Sequence, residues 1–230
     1  GITRYNAPFS HSGSLKTMFT LQHNHPLINR TTFALPATAA HYVELTDSAD
    51  LPALCQLPEY DRRTVCWLGG GSNTLFTRDY PALVVHIATR GIRETHRAGG
   101  IVHMEAQAGE ILHDFIQHTL ALGLSGLENL SLIPGTVGAC PVQNVGAYGV
   151  EVKDRIVSVQ CFDLETQNFI TLTNAQCQFG YRESLFKQQG KRRYVITAVT
   201  FALDETFTPK THYGDLAATL VAQHGSQAPT

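Results

Sequence analysis

Residues 126–151 read GLENLSLIPGTVGACPVQNVGAYGVE, and from Asn129 to Val150 no side chain carries a charge. An uncharged run of this length raises the question of a membrane span. Pro134, Pro141 and the four glycines Gly135, Gly138, Gly146 and Gly149 argue against one, because backbone facing lipid must be satisfied within an unbroken helix. Gln143 and Asn144 point the same way. Two readings remain: a long buried connector, or the dry wall of a site for a large planar cofactor. Glycines let a backbone approach a ligand closely, and charges in such a wall would be costly to desolvate. Long irregular segments are uncommon in compact domains unless they are functional, which favours the wall.

Outward from that run the chain alternates between two kinds of structure. On its amino side, Ile111, Leu112, Phe115, Ile116, Thr119 and Leu120 recur at helical spacing, and Gly123 supplies a stop, so residues 110–122 are expected to form a helix with a core-facing stripe. Before it, residues 92–96 and 101–108 have hairpin character around Ala98, Gly99 and Gly100. On the carboxyl side, residues 156–164, 169–173 and 194–203 are rich in β-branched and aromatic residues and read as strands. Further upstream HYVEL (41–45), TVCWL (64–68) and LVVHIA (83–88) are also strand-like. A helix capped by Asp47 or Ser48 is expected to run to Leu57, although Pro52 weakens it. This mixture predicts an α+β architecture in two lobes, residues 18–90 and 91–218. Residues 1–17 are expected to lie outside the fold, with Met18 as a natural start, and residues 219–230 form a polar tail.

The 230 residues are 43% hydrophobic and 16% charged, enough to bury about three-quarters of the unfolded surface without disulfides. Seventeen basic against 19 acidic residues give a formal charge of -2. That balance offers no positive field for a nucleic-acid backbone. The five cysteines (Cys55, Cys66, Cys140, Cys161, Cys177) are odd in number and never spaced CxxC. His113 and His118 are five apart and no HExxH occurs, so the spacing supports neither a disulfide framework nor a metal site. Buried free thiols in a reducing cytoplasm are expected. Residues 1–17 show no secretory signal.

Two further segments carry chemistry. GGGSNTLF (69–76) follows a strand, and successive glycines there let backbone amides reach an anion, with Ser72 and Asn73 as added donors. It lacks a Walker lysine, and Thr74 stands where GxGxxG needs glycine. Taken alone it fits a pyrophosphate nest, but an ordinary tight turn is the commoner origin of such a run. In QFGYRESLFK (178–187), Arg182 lies beside Tyr181 and Glu183. By itself it reads as a surface arginine paired with a carboxylate.

Taken in order, NRTTF (29–33), GGGSNTLF (69–76), residues 126–151, FGYRESLFK (179–187) and YGDL (213–216) resemble the UDP-N-acetylenolpyruvoylglucosamine reductase (UDP-N-acetylmuramate dehydrogenase) family, in its variety with an extra tyrosine-bearing loop. The resemblance implies a two-lobed FAD-binding fold of the vanillyl-alcohol-oxidase (PCMH) type with noncovalent FAD. It further implies an oxidoreductase of peptidoglycan precursor synthesis in the cytoplasm, with NADPH as co-substrate and a UDP-linked enolpyruvyl sugar as substrate. Carried over residue by residue, Gly69, Gly70, Gly71, Ser72, Asn73, Pro134, Gly135, Thr136, Gly138, Asn144, Gly146 and Tyr148 are expected at the cofactor. Gln143 and Tyr213 are expected at the substrate. Arg182 is expected to be catalytic, its guanidinium stabilising the negative charge that develops when hydride adds to the enolpyruvyl group.

The same resemblance implies a substrate-binding lobe beyond the position of Leu216, which supplies a serine proton donor and a glutamate. Ending at Thr230, this chain is expected to lack that lobe, to keep FAD and to turn over little or nothing. The competing readings are another FAD oxidoreductase of the same architecture, for which Cys140 is the thiol to inspect, and a noncatalytic nucleotide-binding fragment.

Overall fold

Residues 2–6 and 18–207 are described in this computed structural model. Thr38–Leu45 (β3) buries Val43 and Leu45 on one face and Ala39 and Tyr42 on the other. A strand covered on both faces belongs inside a sheet. It is the central strand of five, in the order β1-β2-β3-β5-β4, with Ile2–Asn6 (β1), Met18–Pro26 (β2), Cys66–Leu68 (β4) and Tyr80–Ile87 (β5). The β1, β2 and β3 strands are antiparallel, while β5 runs parallel to both β3 and β4.

Two expectations need correction here. Residues 2–6 do not lie outside the fold: they pair along β2 in register from Ile2 against Gln22 to Asn6 against Met18. The free edge of β2 offers unpaired backbone groups, and ITRYN has the composition to take them. The helix expected to reach Leu57 is only a 3-10 turn, Ser48–Asp50, and one α-helical turn, Leu51–Leu54 (α1). Asp47 caps the former as expected, accepting from Ala49 N at 2.9 Å. The segment then breaks into turns at Cys55–Leu57, because buried Leu51, Leu54 and Leu57 are drawn onto the sheet rather than along a helix axis.

The second sheet is antiparallel throughout, in the order β11-β10-β12-β7-β6. Its strands are Ile92–Ala98 (β6), Ile101–Gln107 (β7), Ile156–Asp163 (β10), Asn168–Thr173 (β11) and Tyr194–Asp204 (β12). Leu112–Ala121 (α2) packs on it through buried Leu112, Phe115, Ile116 and Thr119, four of the six positions read as its stripe. Gly146–Ala147 (β8) and Val150–Glu151 (β9) make a small ribbon inserted between α2 and β10 in sequence. Tyr148 and Gly149 turn it with φ of 50° and 75°, the left-handed pair that a two-residue hairpin requires. No helix of the described residues is long and apolar enough to cross a membrane. The YGDL segment with Tyr213, and the tail, lie outside the described residues.

The two lobes are joined at one end. Phe162, Leu164 and Val195 of the second sheet sit in one cluster with Val43, Leu45 and Val85 of the first. Around this apolar joint Arg62 reaches Glu165 at 2.7 Å and the Arg192 carbonyl at 2.9 Å, and Arg193 grips Asp163 at 2.8 Å. Asp163 is only 2% exposed, and hydrogen bonding from Arg193 holds its carboxyl below the usual range. A depressed carboxyl contributes its stability above the unfolded value, near pH 4, and loses it as pH falls through the folded one. Asp163→Asn should therefore lower stability at neutral pH by about 1–2 kcal/mol, since Arg193 stays partly in water, and urea titrations should show the gap closing in acid. A gap constant across the acid range contradicts the assignment.

Candidate functional site

Where β4 ends at Leu68, the glycine run leaves the first sheet and meets the uncharged wall of the second lobe. The approach is tight at Gly69 and leaves contact distance at Gly70. A Cβ on Gly69 would stand 2.9 Å from Thr136 Oγ1, and one on Gly70 would stand 3.5 Å from the Gly135 backbone. Gly71 takes φ +67° with Thr32 N bonded to its carbonyl at 3.2 Å, a conformation that favours glycine. The wall is tied to α2 and β7 by backbone bonds: Leu112 N to Gly135 O, Val137 N to Glu110 O and Gly138 N to Ala108 O, between 2.8 and 3.1 Å.

Between the two backbones lies a crevice of about 330 Å³, within the range of small-molecule sites. It is lined by Gly69, Gly70, Gly71, Ser72 and Asn73 from one lobe and by Pro134, Gly135, Thr136 and Gln143 from the other. A second chamber of about 170 Å³ shares Trp67, Gly69 and Thr136 and reaches Gly138. The long uncharged run divides between the core and the cavity lining. Leu127, Leu130, Val137 and Val145 enter the core, while Pro134–Thr136 and Gln143 face the cavity. Cys140 also lines it, and burial pushes its thiol up, which disfavours the nucleophilic thiolate.

Five expected residues do not line this first chamber. Gly138 is required by packing, since a Cβ there would come within 2.5 Å of Ala108 Cβ. Arg182, Gly146 and Tyr148 line a neighbouring depression of about 480 Å³ rather than the crevice itself. Arg182 has φ +55° and donates from Nη2 to Gly146 O at 3.2 Å. Asn144 is fully buried and its amide is used by the backbone: Nδ2 donates to Gly180 O at 2.8 Å and Oδ1 accepts from Lys153 N at 3.1 Å. With Ser184 Oγ donating to Val142 O at 2.5 Å, these bonds bolt the Arg182 turn to the wall.

The sequence reading passed over Trp67 and Lys187, both of which line the crevice. Trp67 sits two residues before the glycine run and Lys187 five after Arg182. Asn144→Ala should leave two part-buried backbone groups, Gly180 O and Lys153 N, without their side-chain partner, costing about 1–2 kcal/mol. It should also raise amide exchange across residues 180–187, measured by mass spectrometry; protection equal to wild type there contradicts the bolt.

The family model described as FAD binding domain matches residues 39–171, which contain both walls of the crevice. UDP-N-acetylenolpyruvoylglucosamine reductase of Neisseria gonorrhoeae is 64% identical over 187 residues, 81% of this chain and 54% of its own length. The Chromobacterium violaceum protein of the same name is 54% identical over 200 residues, 86% of this chain and 58% of its own. The chain therefore spans about half the length of the curated relatives it matches. Among solved structures, the Thermus caldophilus UDP-N-acetylenolpyruvylglucosamine reductase superposes with a TM-score of 0.61 at 24% identity, covering 91% of this chain and 70% of that one. A Brevibacterium sterolicum cholesterol oxidase gives 0.54 at 12%, covering 86% and 40%; both likenesses concern the fold. The matched model spans more than half of the sequence, and the protein belongs to the FAD binding domain family, its sequence similar to the amino-terminal part of UDP-N-acetylenolpyruvoylglucosamine reductases.

Proposed function

We propose that this chain is the FAD-binding portion of an NADPH-dependent UDP-N-acetylenolpyruvoylglucosamine reductase, holding FAD noncovalently in the crevice between its lobes. The observation that carries the proposal is the close approach of Gly69–Gly70 to Gly135–Thr136, crowded at Gly69 for any added Cβ, beside a cavity lined from both lobes. The residues present fit the cofactor: a glycine cradle that a Cβ would fill, donors at Ser72 and Asn73, and a wall without charge. Bound FAD supplies the hydride chemistry. The backbone of residues 69–73 orients the dinucleotide, and Pro134–Thr136 with Gln143 excludes water from its other side. Arg182 stands next to that wall with a fixed positive charge, suited to the carboxylate of a UDP-linked enolpyruvyl sugar and to charge developing beside it. Gly146 and Tyr148 shape the same rim, and Asn144 acts by positioning the Arg182 turn. Tyr213 is proposed for the substrate on the resemblance alone. The disfavoured thiolate of Cys140 supports noncovalent attachment over a thiol-linked flavin.

A noncatalytic FAD-binding module is the second reading, since the matched family model describes FAD binding and no reaction. Purified chain incubated with FAD and desalted should keep flavin absorbance, and NADPH under anaerobic conditions should bleach it. Gly69→Val, which sets a branched side chain against Thr136, should keep its circular dichroism and lose FAD at least about tenfold. Retained flavin that NADPH cannot bleach favours the noncatalytic reading. Wild-type protein that emerges colourless contradicts both the cofactor assignment and the reductase.

A further inference from the structure

Among the described residues that line the crevice, Lys187 is the one cationic side chain. Its ammonium is held from behind by two partners: Nζ donates to Arg182 O at 2.9 Å and pairs with Glu183 Oε1 at 2.9 Å. Glu183 is itself anchored by Gln188 at 2.8 Å, and these hydrogen bonds keep its carboxyl ionised by holding it below the usual range. An ammonium has three donors in a compact head. Two are occupied, and the third has no protein partner among the described residues. Ser72 and Asn73 of the glycine run line the same cavity, and that run carries no cation of its own between residues 69 and 76.

We infer that Lys187 is an anion-binding residue of this crevice: its third N–H contacts a phosphate oxygen of the dinucleotide whose remaining charge is met by the backbone amides of the glycine run. The inference rests on the crevice being the FAD site. Glu183 offsets part of the charge but does not line the crevice, so it is the ammonium that borders the cavity. An ammonium fixed before the ligand arrives loses little side-chain freedom on binding, and its bond to a phosphate is charge-assisted. The side chain is 45% exposed, so salt screens the contact and its contribution is moderate.

The test is a titration of the apo chain with FAD and with riboflavin, which lacks phosphate, followed by flavin fluorescence at low and high salt. Lys187→Met should raise the FAD dissociation constant about tenfold at low salt and flatten its salt dependence, leaving the riboflavin constant within about twofold of wild type. Lys187→Arg, which keeps the charge, should recover most of the FAD affinity. Lys187→Met that binds FAD as wild type does, or loses FAD and riboflavin equally, overturns the inference, as does an arginine variant no better than the methionine one. Wild-type chain that takes up neither flavin overturns the cofactor reading and this one with it.

Discussion

Two segments from different lobes approach closely at Gly69–Gly70 and Gly135–Thr136, with only the small Thr136 side chain against the glycines, and the rest of the molecule is arranged to hold that approach. A loop cannot hold such a position alone, because its own contacts are few. Each side is therefore fastened to regular structure. The glycine run continues from β4, whose neighbour β5 pairs in turn with the doubly covered β3. The wall is stitched by its amides and carbonyls to the start of α2 and the end of β7. Lobe against lobe, the apolar joint at Phe162, Leu164 and Val195 sets the spacing, with the Arg62 and Arg193 ion pairs around it.

That arrangement divides the polar work. The crevice itself is nearly free of charge, which suits a large flat ligand and makes any fixed charge on its border effective. Positive charge is placed at the border by one short turn, residues 180–187, bearing both Arg182 and Lys187. The turn is irregular and its Arg182 backbone is left-handed, so it needs external support. Asn144 of the wall bonds out to Gly180, and Ser184 and the Arg182 guanidinium bond back to Val142 and Gly146. The wall thus positions the cations next to the cavity it lines.

Much of the architecture was readable from local pattern. Strand runs such as HYVEL and LVVHIA, the stripe from Ile111 to Leu120, and the hairpin at Ala98–Gly100 stand close to where periodicity and turn residues put them. The uncharged run could be read as a wall because its glycines and prolines contradict every regular alternative. What escaped was non-local. Strand β1 exists only because β2 leaves an edge open. Asn144 and Gly138 look like ligand contacts in a motif, yet one satisfies buried backbone and the other makes room for Ala108. Lys187 and Trp67 have no local signature; only folding brings them to the cavity. The separation of Arg182 from the crevice lining is likewise a matter of which way a turn faces, which spacing does not encode.

Trp67 is the sole tryptophan of the chain and it lines both chambers of the crevice. Flavin seated between the glycine run and the uncharged wall must therefore lie against the indole, where it drains the excited state. Titrating the apo protein with FAD while following tryptophan emission tests the central claim most directly. A saturable, near-complete loss of emission at one FAD per chain is the result expected. Emission that persists while FAD is demonstrably bound places the cofactor elsewhere and contradicts the account.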